Sequence, residues 1–205
     1  LCAGAPAGGA AAGAATAEPL LIVATAGRQV NVIDLRAPAE PLQERESALK
    51  SQTRCIMRMP NSRGYVMGSV AGRVAVEYFD PAPEVQKDRY AFKAHRSTTA
   101  LVDTVHPVNA IAFHPAYGTF VTGGSDGVVN AWDAEHKKRL CQYKGFQSSI
   151  AALAFEPESG DRLAIAVSYQ YEHGESGEKA APPDQVLVRT VAPHEMRPRR
   201  PRGAK

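Results

Sequence analysis

Few residues in this chain have types and spacings that suggest chemistry, and most of those are poorly arranged for catalysis. Gly123, Gly124, Ser125, Asp126 and Gly127 make a glycine-rich run of the sort that can cradle a phosphate. Phosphate loops lead into a helix N-terminus, whereas Val128 and Val129 open a β-branched run here. A strand-to-strand turn is therefore the better reading. His95, His106 and His114 have no zinc-type spacing and no Cys pair beside them. A buried polar role suits His106, and loop or strand-end roles suit the other two. No nucleophile-elbow string accompanies any Ser/His/Asp combination. Neither an enzyme, a metal site nor a cofactor is expected. Arg197, Arg199, Arg200 and Arg202, interleaved with Pro198 and Pro201, read equally as a nuclear-import or nucleic-acid-contacting patch and as a solubilising end.

The elements that must carry these residues are short. The chain has 205 residues, 44% hydrophobic and 22% charged, which fits one or two globular domains. Its net charge of +3 comes from the C-terminal tail, so the body lacks the basic balance of a DNA-binding domain. Cys2, Cys55 and Cys141 allow no disulfide framework, which suits a reducing compartment. The longest bulky apolar run, Leu20–Ala24, is far below the roughly 20 residues that span a bilayer. No secretory signal is legible at the start, and the opening Leu1 reads as a fragment or an incomplete gene model. Residues 1–18 are almost entirely Ala, Gly, Pro and Thr and are expected to be disordered. From Leu20 onward, β-branched runs bounded by Gly, Asn, Asp and Pro predict strands at 20–24, 30–35, 53–59, 65–69, 74–79 and 108–114. Further strands are predicted at 119–123, 128–133, 139–143, 150–155, 163–168 and 186–191. The fold class is all-β: a sandwich, barrel or propeller.

Self-comparison separates these. Val30-Asn31-Val32-Ile33-Asp34, Val76-Glu77-Tyr78-Phe79-Asp80 and Val129-Asn130-Ala131-Trp132-Asp133 are one motif, each following a Gly turn at Gly27, Gly72 or Gly127. The aspartates lie 46 and 53 residues apart, and a period near 40 to 45 residues lengthened by loop insertions is the signature of WD-type blades, each a four-stranded antiparallel sheet. The fullest copy spans residues 106–143. WD blades often contain a buried hydrogen-bonded set of His, Ser or Thr, Asp and Trp, and His106, Thr122, Asp126 and Trp132 are its nearest matches. The other copies have Ile33 and Phe79 in the Trp position.

Longer strings go beyond the generic repeat. They include Thr25-Ala26-Gly27-Arg28-Gln29-Val30, Gln52-Thr53-Arg54-Cys55-Ile56, Gly72-Arg73-Val74-Ala75-Val76-Glu77-Tyr78 and Pro83-Glu84-Val85-Gln86-Lys87. Tyr90-Ala91-Phe92-Lys93-Ala94-His95-Arg96, Pro107-Val108-Asn109-Ala110-Ile111 and residues 123–133 belong with them. Together these strings resemble the kinase-free WD-repeat branch of the Bub family of spindle-assembly checkpoint proteins. A departure is Ala71, which stands where the family usually has an acidic residue. A sister branch of messenger-RNA export adaptors that dock on a nucleoporin shares the fold and is the alternative.

The resemblance implies a partial WD-repeat β-propeller, the C-terminal half of seven blades, over residues 19–192. It assigns the end of the fourth blade to 20–36, the fifth to 48–80, the sixth to 106–144 and the last to 148–191, with a disordered basic tail at 193–205. Residues 171–184 match an acidic loop of the last blade and read as a flexible linker. Half a ring leaves an open sheet edge, so the chain alone is expected to be marginally stable or aggregation-prone. The implied function is recognition without catalysis: binding an acidic docking segment of checkpoint kinases, and contributing to reading a phosphorylated kinetochore scaffold. A ubiquitin-ligase checkpoint complex is a further implied partner. Carboxylates and phosphates require basic donors. By motif position these are Arg54, Arg73 and Arg96, with Lys93 beside them. No membrane or direct DNA contact is expected. The implied location is the nucleus, and the kinetochore in mitosis, with the cytoplasm also open.

Overall fold

The computed structural model describes residues 19–99 and 102–198, so residues 1–18 and the arginine-rich end of the tail lie outside the described residues. The chain divides into two compact units, Leu1–Val108 and Asn109–Lys205. Both are built from antiparallel meanders, with no helix among the described residues longer than a turn or so.

In the first unit, β1 (Leu20–Ala24), β2 (Gln29–Asp34) and β3 (Gln43–Glu46) form a three-stranded sheet in chain order. A four-stranded sheet follows, from β4 (Thr53–Arg58), β5 (Gly64–Ser69), β6 (Arg73–Tyr78) and β7 (Tyr90–Lys93). The short helix α1 (Pro83–Gln86) lies between β6 and β7, and a hairpin of β8 (Arg96–Thr99) and β9 (Val102–Val105) follows β7. Every residue of β5 is buried, and all of β6 except Arg73, because these central strands are covered on both faces. Strands covered on both faces read as near-continuous apolar runs, and Tyr65-Val66-Met67 and Val74-Ala75-Val76 do so. Val30, Leu49, Tyr65, Met67 and Ala75 form the core.

The second unit holds β10 (Val108–Phe113) from its second residue onward, β11 (Phe120–Gly124), β12 (Val129–Asp133) and β13 (Lys138–Tyr143), which form one four-stranded sheet. A three-stranded sheet follows: β14 (Ile150–Phe155), β15 (Arg162–Val167) and β16 (Gln185–Thr190). β11 packs on β14, and Val121, Val129, Leu140, Ile150, Leu163 and Ile165 share the core. β16 is an edge strand with every residue exposed, Val186 at 75% and Val188 at 67%.

The repeated aspartate has a local reason. The Oδ1 atoms of Asp34, Asp80 and Asp133 each accept a backbone N–H just downstream, from Arg36 (3.0 Å), Ala82 (2.9 Å) and His136 (3.1 Å). Each copy thus ends a strand and caps its own exit turn.

All twelve expected strands are present within a residue at either end. Four more were not expected: β3, β7, β8 and β9. The sheet expected to end at residue 80 therefore runs on to Lys93, and the first gains Gln43–Glu46. Two further expectations are corrected. The linker at 171–184 contains α2 (Gly174–Glu178), and Glu172 there accepts the hydroxyl of buried Ser149. The tail does not begin at residue 193. Pro193–Met196 is a helical turn, α3, packed on β12 and β13, with Met196 fully buried and its carbonyl taking the Thr119 hydroxyl at 2.8 Å.

Candidate partner-binding site

An antiparallel meander brings the start of β4, the end of β5, the start of β6 and the end of β7 to one end of their sheet. Thr53 pairs with Ser69 and Arg73 pairs with Lys93 at that end. The β4–β5 register then passes from Thr53↔Ser69 to Cys55↔Gly68, so Arg54 is the extra residue of a β-bulge. Bulges re-aim side chains, and the Arg54 side chain is exposed.

Arg73 is held by its backbone. Its N–H donates to Ser69 Oγ at 3.3 Å, and the Ser69 hydroxyl donates to the Arg73 carbonyl at 3.2 Å. Gly72 makes the turn between β5 and β6 at φ +67°, and its carbonyl accepts the N–H groups of Ala94 (2.9 Å) and His95 (3.1 Å). A Cβ there would lie 2.2 Å from the His95 carbonyl oxygen, so only glycine fits. The turn is thereby tied to the chain that leaves β7. The half-buried Arg73 side chain and the exposed Lys93 stand directly opposite each other on one face. Directly opposed like charges destabilise a sheet.

Arg96 makes its contacts within the chain. Its Nε and Nη2 both donate to the Ala71 carbonyl at 3.3 Å, and its Nη1 meets Asp103 Oδ2 at 3.3 Å. Its guanidinium is engaged inside the chain at the root of the β8–β9 hairpin. Asp103 Oδ1 also accepts the Thr98 hydroxyl at 3.0 Å. At the same root the His106 N–H donates to the carbonyl of fully buried His95 at 3.0 Å.

Of the expected hydrogen-bonded set, Trp132 Nε1 donates to Thr122 Oγ1 at 2.9 Å in a buried setting. Asp126 Oδ1 accepts the Val128 N–H at 3.2 Å, closing the β11–β12 turn at Gly127. His106 is half-buried in the first unit, where its Nε2 lies 3.2 Å from Ser97 Oγ because the hairpin brings Ser97 to it. Asn109, which has no role of its own in the sequence reading, donates to Ser125 Oγ (3.1 Å) and to the Ile150 carbonyl (3.0 Å), joining β10 to β14. His114 is buried and caps a turn: Nδ1 accepts the N–H groups of Ala116 (3.2 Å) and Tyr117 (3.3 Å). Burial holds its pKa below the ordinary histidine range, against the opposing pull of Asp161.

No family model matches the chain. Among curated relatives, mitotic checkpoint protein BUB3.1 of Arabidopsis thaliana is 52% identical over 179 residues, covering 87% of this chain and 52% of the relative. Over most of its length the chain is similar to the Bub family of WD-repeat proteins. Mitotic checkpoint protein bub3 of Dictyostelium discoideum is 47% identical over 172 residues, or 84% of this chain and 51% of that protein. The mRNA export factor GLE2 of Chaetomium thermophilum is 39% identical over 183 residues, 89% of this chain and 50% of the relative. The chain spans about half the length of the curated relatives it matches. Its antiparallel sheets are those of a WD-repeat β-propeller, present here in part.

Proposed function

We propose that this chain is a non-catalytic adaptor of the mitotic spindle checkpoint, and that the basic end of the β4–β7 sheet captures an acidic docking segment of checkpoint kinases. The observation that carries the reading is the Arg73–Lys93 pair, two cations held directly opposite each other beside the bulged, exposed Arg54. Carboxylates from a partner would relieve the repulsion and supply the planar acceptors that guanidinium groups bind best. Relatives named as mitotic checkpoint proteins, 45% to 52% identical, support the same reading. The phosphorylated kinetochore scaffold and a ubiquitin-ligase checkpoint complex are the further partners proposed, and the nucleus and mitotic kinetochore the proposed location.

A second reading, an adaptor for mRNA export docking on a nucleoporin, is favoured by relatives named as RNA export factors at 35% to 39% identity. Titrating the chain with an acidic docking peptide from a checkpoint kinase, against the corresponding nucleoporin peptide, separates the two. Arg54→Glu and Arg73→Glu are each expected to weaken capture of the kinase peptide by more than about 2 kcal/mol, since an attractive pair becomes a like-charge clash. Unchanged affinity in both variants removes this end of the sheet from the function.

A further inference from the structure

The β8–β9 hairpin places a carboxylate of this chain against one of its own arginines, beside the basic end just described. Its register sets Thr98 opposite Asp103, with Arg96 two residues from Thr98 on the same face. Asp103 then divides its two oxygens, Oδ2 to Arg96 Nη1 at 3.3 Å and Oδ1 to the Thr98 hydroxyl at 3.0 Å. The remaining contacts of the guanidinium, Nε and Nη2 to the one Ala71 carbonyl, are both 3.3 Å. All three are long for hydrogen bonds from a charged donor, which settle near 2.7–2.9 Å with a carboxylate placed bidentately. Arg96 is held, but with none of its donors in its best geometry.

Ala71 lies in the β5–β6 turn, two residues before Arg73, and Lys93 is three residues before Arg96. The Arg96–Asp103 pair therefore borders the cations of the proposed site. The Asp103 side chain is 45% exposed, so water can solvate its carboxylate when Arg96 leaves, and the Thr98 hydroxyl stays with it. Exchanging Asp103 for a partner's carboxylate costs little and improves the geometry at the guanidinium.

We propose that Asp103 is a built-in competitor for Arg96, occupying the guanidinium while no partner is present and yielding it to an acidic partner segment. The inference rests on the acidic-peptide reading above and adds a regulated fourth cation to it.

The test is fluorescence-anisotropy titration of the full chain with a labelled acidic docking peptide from a checkpoint kinase, in low-salt buffer. Asp103→Asn keeps the size of the side chain and an oxygen for Thr98 while removing the charge. It is expected to bind about two- to fivefold more tightly, the range an exposed ion pair is worth. Asp103→Glu restores the competing charge and is expected to bind as the wild type does. Most of the gain is expected to vanish when Asp103→Asn is combined with Arg96→Ala. Equal or weaker binding by Asp103→Asn overturns the proposal, as does a gain that survives Arg96→Ala undiminished. If the wild type captures the peptide and Asp103→Asn is no tighter, the competitor alone falls. If neither the wild type nor any variant captures it, the acidic-peptide reading falls too.

Discussion

Gly72 couples the fold to the proposed site, and replacing it should damage both in a measurable proportion. Gly72→Ala places an L-residue at φ +67°, which costs about 1–2 kcal/mol. Its Cβ would also stand 2.2 Å from the His95 carbonyl oxygen and 2.9 Å from that of His106, both backbone atoms. The His95 carbonyl must retreat, and it is the acceptor for the His106 N–H. Forced displacement of well-packed atoms adds about 1–3 kcal/mol, so the total is about 2–5 kcal/mol. Gly27→Ala is the internal control: it has a similar φ of +74° and open space where its Cβ would go. It should lose only the backbone cost, partly offset by about 0.4–1 kcal/mol from the stiffer unfolded chain. Urea unfolding followed by circular dichroism, with both variants in the full chain, reads the difference. The acidic peptide should also bind Gly72→Ala more weakly, because Ala71 and Arg73 flank the distorted turn. If Gly72→Ala is no less stable than Gly27→Ala, the crowding argument is wrong.

Other variants probe the second unit. Trp132→Phe removes the buried bond to Thr122 and is expected to cost about 1–3 kcal/mol; a double-mutant cycle with Thr122→Val that shows no coupling would refute the bond. Met196→Ala should destabilise by about 2–5 kcal/mol, the usual cost of emptying a fully buried site, and a loss near zero would return residues 193–196 to the tail. His114 gives a pH dependence. With its folded pKa lowered, the unfolded chain binds the proton more readily, so this stability is fully present above about pH 6.5 and is lost as the pH falls below it. His114→Asn should flatten the fall in urea midpoint across that range, and an unaltered slope would assign it to other groups.

What the sequence made legible was whatever carried a local pattern. β5 and β6 announce themselves as apolar runs, and the Gly turns with their terminal aspartates mark three copies of a repeat. β3 does not: Gln43-Glu44-Arg45-Glu46 has no apolar residue, and it is a strand because it pairs with β2 and because Arg45 and Gln43 reach the Tyr78 and Phe79 carbonyls of β6's end. Edge strands tolerate such composition because one edge faces solvent. β8 is polar for the same reason, and both valines of β9 are exposed. Met196 is one apolar residue in a charged stretch, and its burial comes from contact with β12 and β13 rather than from periodicity. Among the basic residues, motif position singles out Arg54, Arg73, Lys93 and Arg96, but a motif does not say which guanidinium meets a carboxylate of its own chain. That distinction depends on Asp103, which meets Arg96 through a hairpin register invisible in a pattern of Ser, Thr and Asp.

The distribution of ion pairs bears on what the basic end is for. Arg28 meets Glu46 at 2.9 Å, Arg36 meets Asp34 at 2.6 Å and Arg189 meets Glu195 at 3.0 Å. Arg73 faces Lys93 instead. A directly opposed like pair costs a sheet about 0.2–1 kcal/mol, and one substitution to a neutral residue would remove that cost. Retaining it leaves a positive potential at one end of one sheet, and such a potential attracts anions over about a Debye length, roughly 8–10 Å at physiological salt. Two consequences follow that a purely structural role for these residues does not share. Affinity for an acidic peptide should fall steeply as salt is raised, and Lys93→Gln should raise the urea midpoint of the chain while weakening peptide capture. A variant that loses stability along with affinity would mean that Lys93 holds the sheet together, and the charge at this end would then need another explanation.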